Sequence, residues 1–238
     1  MTIKYPVRLV LLWICLAAEF GSSWGAEVAF LPVQVQLSAK QPYSVVTIKN
    51  LSVVPVTFET SLFRWQQNGG VDALAPSEDL VVSPPIFVVQ AGKSQVVRVR
   101  LLDTPEADVE THFRIIFNEL NSTTRTKAGH LVAMEVSLPV FVAPTSKPTA
   151  SIETTLKRSG QSLVMTVANQ GNIHAQLGRV YREKNGERDP KPVSMLGYVL
   201  PSSKCEFTFE QPEYISADAL VAVFADGREV RIPVPSSQ

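Results

Sequence analysis

The chain has 238 residues, with 22 Lys plus Arg against 22 Asp plus Glu and 45% hydrophobic residues. So even a balance gives no global pull toward nucleic acid or anionic lipid, and charge-based recognition must be local. The length fits two domains of about 100 residues each or one large β domain.

Residues 1–25 read as a secretory signal peptide. Lys4 and Arg8 precede an apolar run from Leu9 to Ala18, and small residues surround Ser23 and Gly25. The run is too short to span a bilayer, so no membrane insertion is expected. Cleavage near Gly25 removes Lys4, Arg8 and Glu19, leaving 20 cations against 21 anions. It also removes Cys15, so Cys205 stands alone, no intrachain disulfide is possible, and a buried thiol is expected.

Short runs rich in Val, Ile, Phe and Thr follow at 28–37, 43–50, 56–65, 80–82 and 94–102. Turn signals at Asn68-Gly69-Gly70 and Ala91-Gly92-Lys93 separate them, and Ser83-Pro84-Pro85 marks an extended crossing or sheet edge. In 94–102, Arg98 and Arg100 alternate with Val97, Val99 and Leu101. Two long strands then occupy 111–142. Phe113, Ile115 and Phe117 share one face of the first and Arg114 lies on the other, while Val132, Met134, Val136, Leu138, Val140 and Val142 share one face of the second. That apolar row exceeds what a half-exposed strand needs for its own sheet, and such a row on an edge calls for a partner to cover it.

Residues 144–148, with two prolines among polar residues, form a short stiff linker. Strand-like runs resume at 151–157, 162–169, 175–182, 195–200, 205–210, 220–224 and 229–234, with turns at 169–172, 184–186 and 226–227. No segment has a convincing helical period. The pattern predicts an all-β protein of two immunoglobulin-like β-sandwich domains, 26–143 and 149–238.

Catalysis has little support. His112, His130 and His174 lie in separate segments without metal-ligand spacing, and neither a P-loop nor a GxSxG elbow occurs, so no enzyme, cofactor, metal or small-molecule substrate is expected. Strand arginines on an outer face are most simply solvated. They can also hold a carboxylate in bidentate fashion, and Glu110 could pair with Arg98 as a structural ion pair. On the residues alone, a secreted structural or adhesive tandem sandwich is an alternative to a protein that lends its edge.

Phe63-Arg64-Trp65, the Asn68-Gly69-Gly70 turn, Ser83-Pro84-Pro85-Ile86-Phe87, Ala91-Gly92-Lys93, Gln95 to Val99, Phe113 to Leu120 and Leu138-Pro139-Val140-Phe141 occur in this order. Together they resemble the PapD-like periplasmic chaperones of the chaperone–usher pathway. The resemblance implies two sandwiches in an L- or boomerang-shaped arrangement, a periplasmic location, and pilus or fimbrial subunits and an outer-membrane usher as partners. It further implies donor-strand complementation, in which the segment 130–138 fills the groove of an incomplete subunit through Val132, Met134, Val136 and Leu138.

In the best-known branch a basic pair grips the subunit's C-terminal carboxylate. Here the matching positions hold Gln34 and Pro139. The chain is more similar to the archaic branch, in which an arginine at the position of Arg114 is the anchor. The short connection 121–129 and the lack of a cysteine pair fit short-loop members. Arg98, Glu110 and Asp226 match an interdomain charge network whose other arginine is replaced by Ala143.

Overall fold

The computed structural model describes residues 27–103, 107–120, 122 and 132–236. The expected signal peptide, His130 and nearly all of the connection 121–129 lie outside the described residues.

The first sandwich contains β1 (Val28–Leu31), β2 (Val35–Leu37), β3 (Tyr43–Asn50), β4 (Val56–Asn68) and β5 (Val71–Pro76). It continues with β6 (Leu80–Ser83), β7 (Ile86–Val89), β8 (Ser94–Leu101), β9 (Thr111–Leu120) and β10 (Glu135–Val142). One sheet runs β1-β3-β8-β6; the other runs β2-β10-β9-β4-β5, with β7 also beside β4. The two-residue period decides what each strand buries. Val97, Val99 and Leu101 of β8 turn inward while Arg98 and Arg100 are exposed, and Phe113, Ile115 and Phe117 of β9 complete the opposite wall. Phe30, Phe58, Phe87 and Phe117 pack as tilted and edge-on rings with centroids 5.0–6.5 Å apart. Each such side chain withdrawn from water contributes about 1.5–3 kcal/mol.

Two expected strands come out differently. The run at 28–37 is broken at the cis Leu31–Pro32 bond: β1 pairs antiparallel with β3, whereas β2 crosses to the other sheet and pairs parallel with β10. Proline has no N–H to continue the first ladder. The strand leading to Val142 begins only at Glu135, so Val132 and Met134 precede it. The hairpin at Asn68-Gly69-Gly70 forms as its residues demand, with Gly69 and Gly70 at φ +62° and +89°, and it sets Gln67 opposite Asp72.

The second sandwich contains β11 (Ile152–Ser159), β12 (Ser162–Asn169), β13 (Ala175–Lys184), β14 (Glu187–Arg188), β15 (Val193–Val199) and β16 (Ser203–Phe209). A single-turn helix α1 (Pro212–Ile215), β17 (Ala219–Phe224) and β18 (Glu229–Pro233) complete it. Its sheets run β11-β12-β16 and β14-β13-β17-β18, with β15 beside β13. The core centres on Leu163, Met165, Val167, Leu177, Val180 and Phe209. Cys205 is a buried free thiol, as its isolation in the sequence predicts. Each sandwich also buries one asparagine at the end of a strand. The Asn50 amide donates to Val54 O and Val89 O, and that of Asn169 donates to Ile173 O and Val199 O, so each ties its turn to a strand across the domain.

The domains meet on Trp65 and Phe141 of the first and Leu200 and Tyr198 of the second. The His174 ring stacks on Phe141 with centroids 3.6 Å apart. The Gln67 side chain donates to Tyr198 O at 2.8 Å and accepts from the Leu200 N–H at 2.9 Å, joining the β4 end to the second domain's backbone. Glu110, 6% exposed, accepts from His112 Nε2 at 3.1 Å, from the His174 backbone N–H at 2.9 Å and from His174 Nδ1 at 2.7 Å. Burial alone would push the Glu110 carboxyl up, but the histidine hydrogen bonds outweigh it and hold the group below the ordinary carboxylate range.

The expected network of Arg98, Glu110 and Asp226 is therefore corrected. Arg98 sits on β8 in the sheet that lacks β9, and its strand parity turns it to solvent, away from Glu110. Asp226 closes its own turn, accepting from the Arg228 backbone N–H at 3.0 Å and from Arg228 Nη2 at 2.6 Å. Two imidazoles serve the interdomain carboxylate instead.

The linker is tied down as well. Thr145 N–H donates to Ala107 O, and Asn172 donates to Asp108 O and accepts from the Thr149 N–H. This close approach requires glycine at 171, where a Cβ would lie 2.1 Å from Thr149 O and 2.6 Å from Ser151 N. Gly171→Ala is expected to cost about 1–3 kcal/mol through overpacking, read as a fall of about 3–10 °C in the thermal midpoint. An unchanged midpoint would contradict the packing described. Because the Glu110 carboxyl is held low, its contribution is present above the ordinary carboxylate range and is lost as pH falls through its own depressed value. Thermal melts between pH 7 and pH 3 are expected to show Glu110→Gln about 1–3 kcal/mol less stable at neutral pH, with a shallower fall on acidification than the parent chain.

Candidate functional site

Part of β10 is paired on one side only, next to a row of apolar side chains. It is paired with β9 along its whole length, from Glu135 opposite Asn118 to Val142 opposite Thr111, but with β2 only from Val140 to Val142. From Glu135 to Pro139 the other side of the strand has no partner among the described residues. The Glu119 N–H donates to Met134 O at 2.8 Å, which makes this pair a hydrogen-bonded one. By the alternation of an antiparallel ladder, Val136, Leu138 and Val140 also bond to β9, while Glu135, Ser137 and Pro139 turn their backbone groups to the open side. The Ala143 N–H bonding outward to Leu37 O fits the same alternation. Pro139 has no N–H, so its place on the open side forfeits no internal bond.

Burial along this segment is graded. Val140 and Val142 are enclosed, Val136 and Met134 are partly buried against the core, and Val132 is 46% exposed. Leu138, expected to fill a partner's groove, is 3% exposed within its own sandwich. The correction has a simple cause: the apolar row faces the core throughout, and Leu138 lies deep enough to be covered by the opposite sheet. A second anchor steadies the entry to the strand, since the Met134 N–H donates to Glu119 Oε2 at 2.9 Å.

As its numbering rises, β10 leads to the domain junction. Arg114, on β9, is opposite Pro139 and opposite Phe63 of β4, two residues from Trp65 on the same face. Its guanidinium lies 3.7 Å from the Trp65 ring centroid and 5.8 Å from that of Tyr198. Its side chain is 16% exposed, and the nearest anion is Asp72, with Nη2 to Oδ2 at 3.7 Å. Burial lowers the guanidinium pKa, countered by Asp72, and the group stays charged. A cleft of about 250 Å³ between the domains is lined by Trp65, Asp72, Arg114, Tyr198, Cys205 and Glu206.

Gln34 borders this junction, where the Tyr198 hydroxyl donates to its Oε1 at 3.4 Å, so both positions that lack a basic residue flank Arg114. Burial pushes the Cys205 thiol up, so it stays protonated and unreactive there. Trp65 appears in the sequence only as part of the Phe63-Arg64-Trp65 motif, and Gln67, Asp72 and Tyr198 are not singled out there. The hairpin at Asn68-Gly69-Gly70 carried the signal for one of them, since it fixes Asp72 opposite Gln67. Among the described residues, no group of three or more His, Cys, Asp or Glu could hold a metal ion.

No curated protein matches the chain in sequence. Solved structures do match in fold. One is the complex of the CsuC chaperone with the CsuE tip adhesion subunit, from the archaic chaperone–usher Csu pili of Acinetobacter baumannii. It matches with TM-score 0.67 and 18% identity, over 87% of this chain and 98% of that one. The periplasmic chaperone SfaE matches with TM-score 0.59 and 16% identity, over 87% and 100%. The Salmonella enterica SafA pilin complex with the SafB chaperone matches with TM-score 0.59 and 16% identity, over 86% and 93%. At such identities the likeness is one of fold. Residues 27–148, which contain the whole first sandwich, its open β10 margin and Arg114, match the family model for the pili and flagellar-assembly chaperone PapD N-terminal domain, and the chain belongs to that family of pilus-assembly chaperones.

Proposed function

We propose that the chain is a periplasmic chaperone that lends the open side of β10 to an incomplete immunoglobulin-like pilus subunit and delivers the capped subunit to an outer-membrane usher. The carrying observation is the strand margin Glu135–Pro139, paired on one side only and led by an apolar row that its own sandwich covers incompletely. Strand addition would use the outward backbone groups of Glu135 and Ser137 and the Pro139 carbonyl for the ladder, with Val132, Met134 and Val136 entering the subunit's groove. Leu138 is left out of that set, being spent on the chaperone's own core.

Each side chain fully withdrawn from water contributes about 1.5–3 kcal/mol, and Met134 and Val136 contribute less because they begin half covered. Association entropy offsets part of this. A modest net affinity suits a capping protein that has to give its client up. Arg114 is the anchor for the subunit's terminal carboxylate: a half-buried guanidinium stacked on a tryptophan, beside a cleft, whose one nearby anion, Asp72, stands at 3.7 Å without taking its hydrogen-bond donors. Since β10 approaches the cleft as its numbering rises, a client strand whose C-terminus meets Arg114 runs parallel to it. The fold match to an archaic Csu chaperone complex, together with Gln34 and Pro139 in place of a basic pair, supports the archaic branch.

Val132→Glu is expected to weaken capture of a co-expressed pilus subunit by about tenfold or more while leaving the thermal midpoint within about 2 °C, because this side chain is already half exposed. Subunit recovery at the parental level would contradict the groove-filling role. Arg114→Ala is expected to reduce capture by a similar factor, and a variant that unfolds instead would assign Arg114 to the domain junction alone.

A further inference from the structure

The cleft at the domain junction holds an aspartate that a carboxylate anchor does not need. Arg114 donates no hydrogen bond to any group among the described residues, although its side chain is 16% exposed. Its one close anion, Asp72 Oδ2, stands at 3.7 Å, well outside the 2.7–2.9 Å of a charge-assisted hydrogen bond. Asp72 is held there by other means. Gln67 Nε2 donates to Asp72 Oδ1 at 3.0 Å, and Gln67 is itself fixed by Tyr198 O and the Leu200 N–H across the junction. The hairpin register also fixes the aspartate, since Asp72 is directly opposite Gln67 on β5. A carboxylate held by Gln67 thus stands near a half-buried guanidinium without a hydrogen bond between them, beside a cleft open to solvent.

We propose that Asp72 is a built-in competitor for the anionic end of the client, an inference that rests on Arg114 being the carboxylate anchor. Asp72 compensates the charge of Arg114 at a distance, without engaging its N–H donors. An incoming terminal carboxylate takes those donors in short bidentate contact and must do so against the Asp72 charge. Two consequences follow for selectivity. A free small anion gains only the arginine contact, which the aspartate largely offsets. A carboxylate carried on a strand that also pairs with β10 arrives at high effective concentration and overcomes it. The aspartate therefore reserves the anchor for carboxylates that bring a strand, and keeps the anchored complex weak enough to release.

The test is calorimetric titration of the chain and of its Asp72→Asn variant with acetyl-(Val-Thr)4, prepared once as the free C-terminal acid and once as the amide. Asparagine preserves the shape of the group and can still accept from Gln67, and thermal melts establish that the fold is kept. The expected result is a preference for the acid in the parent chain that widens by about tenfold in Asp72→Asn, with the affinity for the amide unchanged. An unchanged preference in the variant, or an equal gain for acid and amide, overturns the competitor role while leaving Arg114 as the anchor. No difference between acid and amide in either protein overturns the anchor reading itself and the competitor with it. No binding of the acid to Asp72→Asn also contradicts the proposal.

Discussion

A strand in a sheet has two sides of hydrogen-bonding groups, and a sandwich closes only if both are paired or one is left to solvent. In this chain β2 pairs with β10 only at Val140–Val142 and leaves the margin from Glu135 to Pro139 without a partner among the described residues. The crossing of the chain at Pro32 sets where β2 begins, and Pro139, having no N–H to offer, marks where pairing with β2 stops. Everything assigned to function follows from that unfinished margin. Its outward backbone groups are those that strand addition would use, its leading side chains are incompletely covered, and its far end points into the domain junction.

The junction is built to hold an arginine in a defined place. Trp65 and Tyr198 give Arg114 an aromatic seat from both domains, Gln67 joins the β4 end to the backbone of the second sandwich, and Glu110 is clasped by a histidine from each domain. A loose hinge would let the cleft widen and cost Arg114 its seat. The buried carboxylate, the stacked His174 and the tethered linker therefore serve the site even though none of them lines it. The second sandwich contributes in the same way, as the wall that turns the end of β10 into a cleft.

Much of this was legible in the residues. Alternation at Val97, Val99 and Leu101 against Arg98 and Arg100, and at Phe113, Ile115 and Phe117 against Arg114, fixes which face of each strand is core because the side-chain period is two. The Asn68-Gly69-Gly70 turn fixes a hairpin and its register. What alternation does not encode is how far the neighbouring sheet extends, so Leu138 and Val132 read alike in the sequence although one is enclosed and the other half exposed. Nor does it say which of two sheets a strand joins. Arg98 and Glu110 could be paired on paper, yet they belong to opposite layers, and the carboxylate's donors are histidines far apart in sequence. The seat of Arg114 depends on the long-range register of β4 with β9 and on Tyr198 from the other domain, neither of which a local pattern carries.

On this reading the backbone of Glu135 and Ser137 is free in the isolated chain and becomes part of a foreign sheet in the complex. Amide hydrogen exchange at these two positions, compared with and without a bound pilus subunit, tests it most directly. Fast exchange is expected in the free chain and strong protection at both amides in the complex, while Val136, already bonded to β9, is protected in both. Protection of Glu135 and Ser137 in the free chain, or continued fast exchange with the subunit bound, would contradict it.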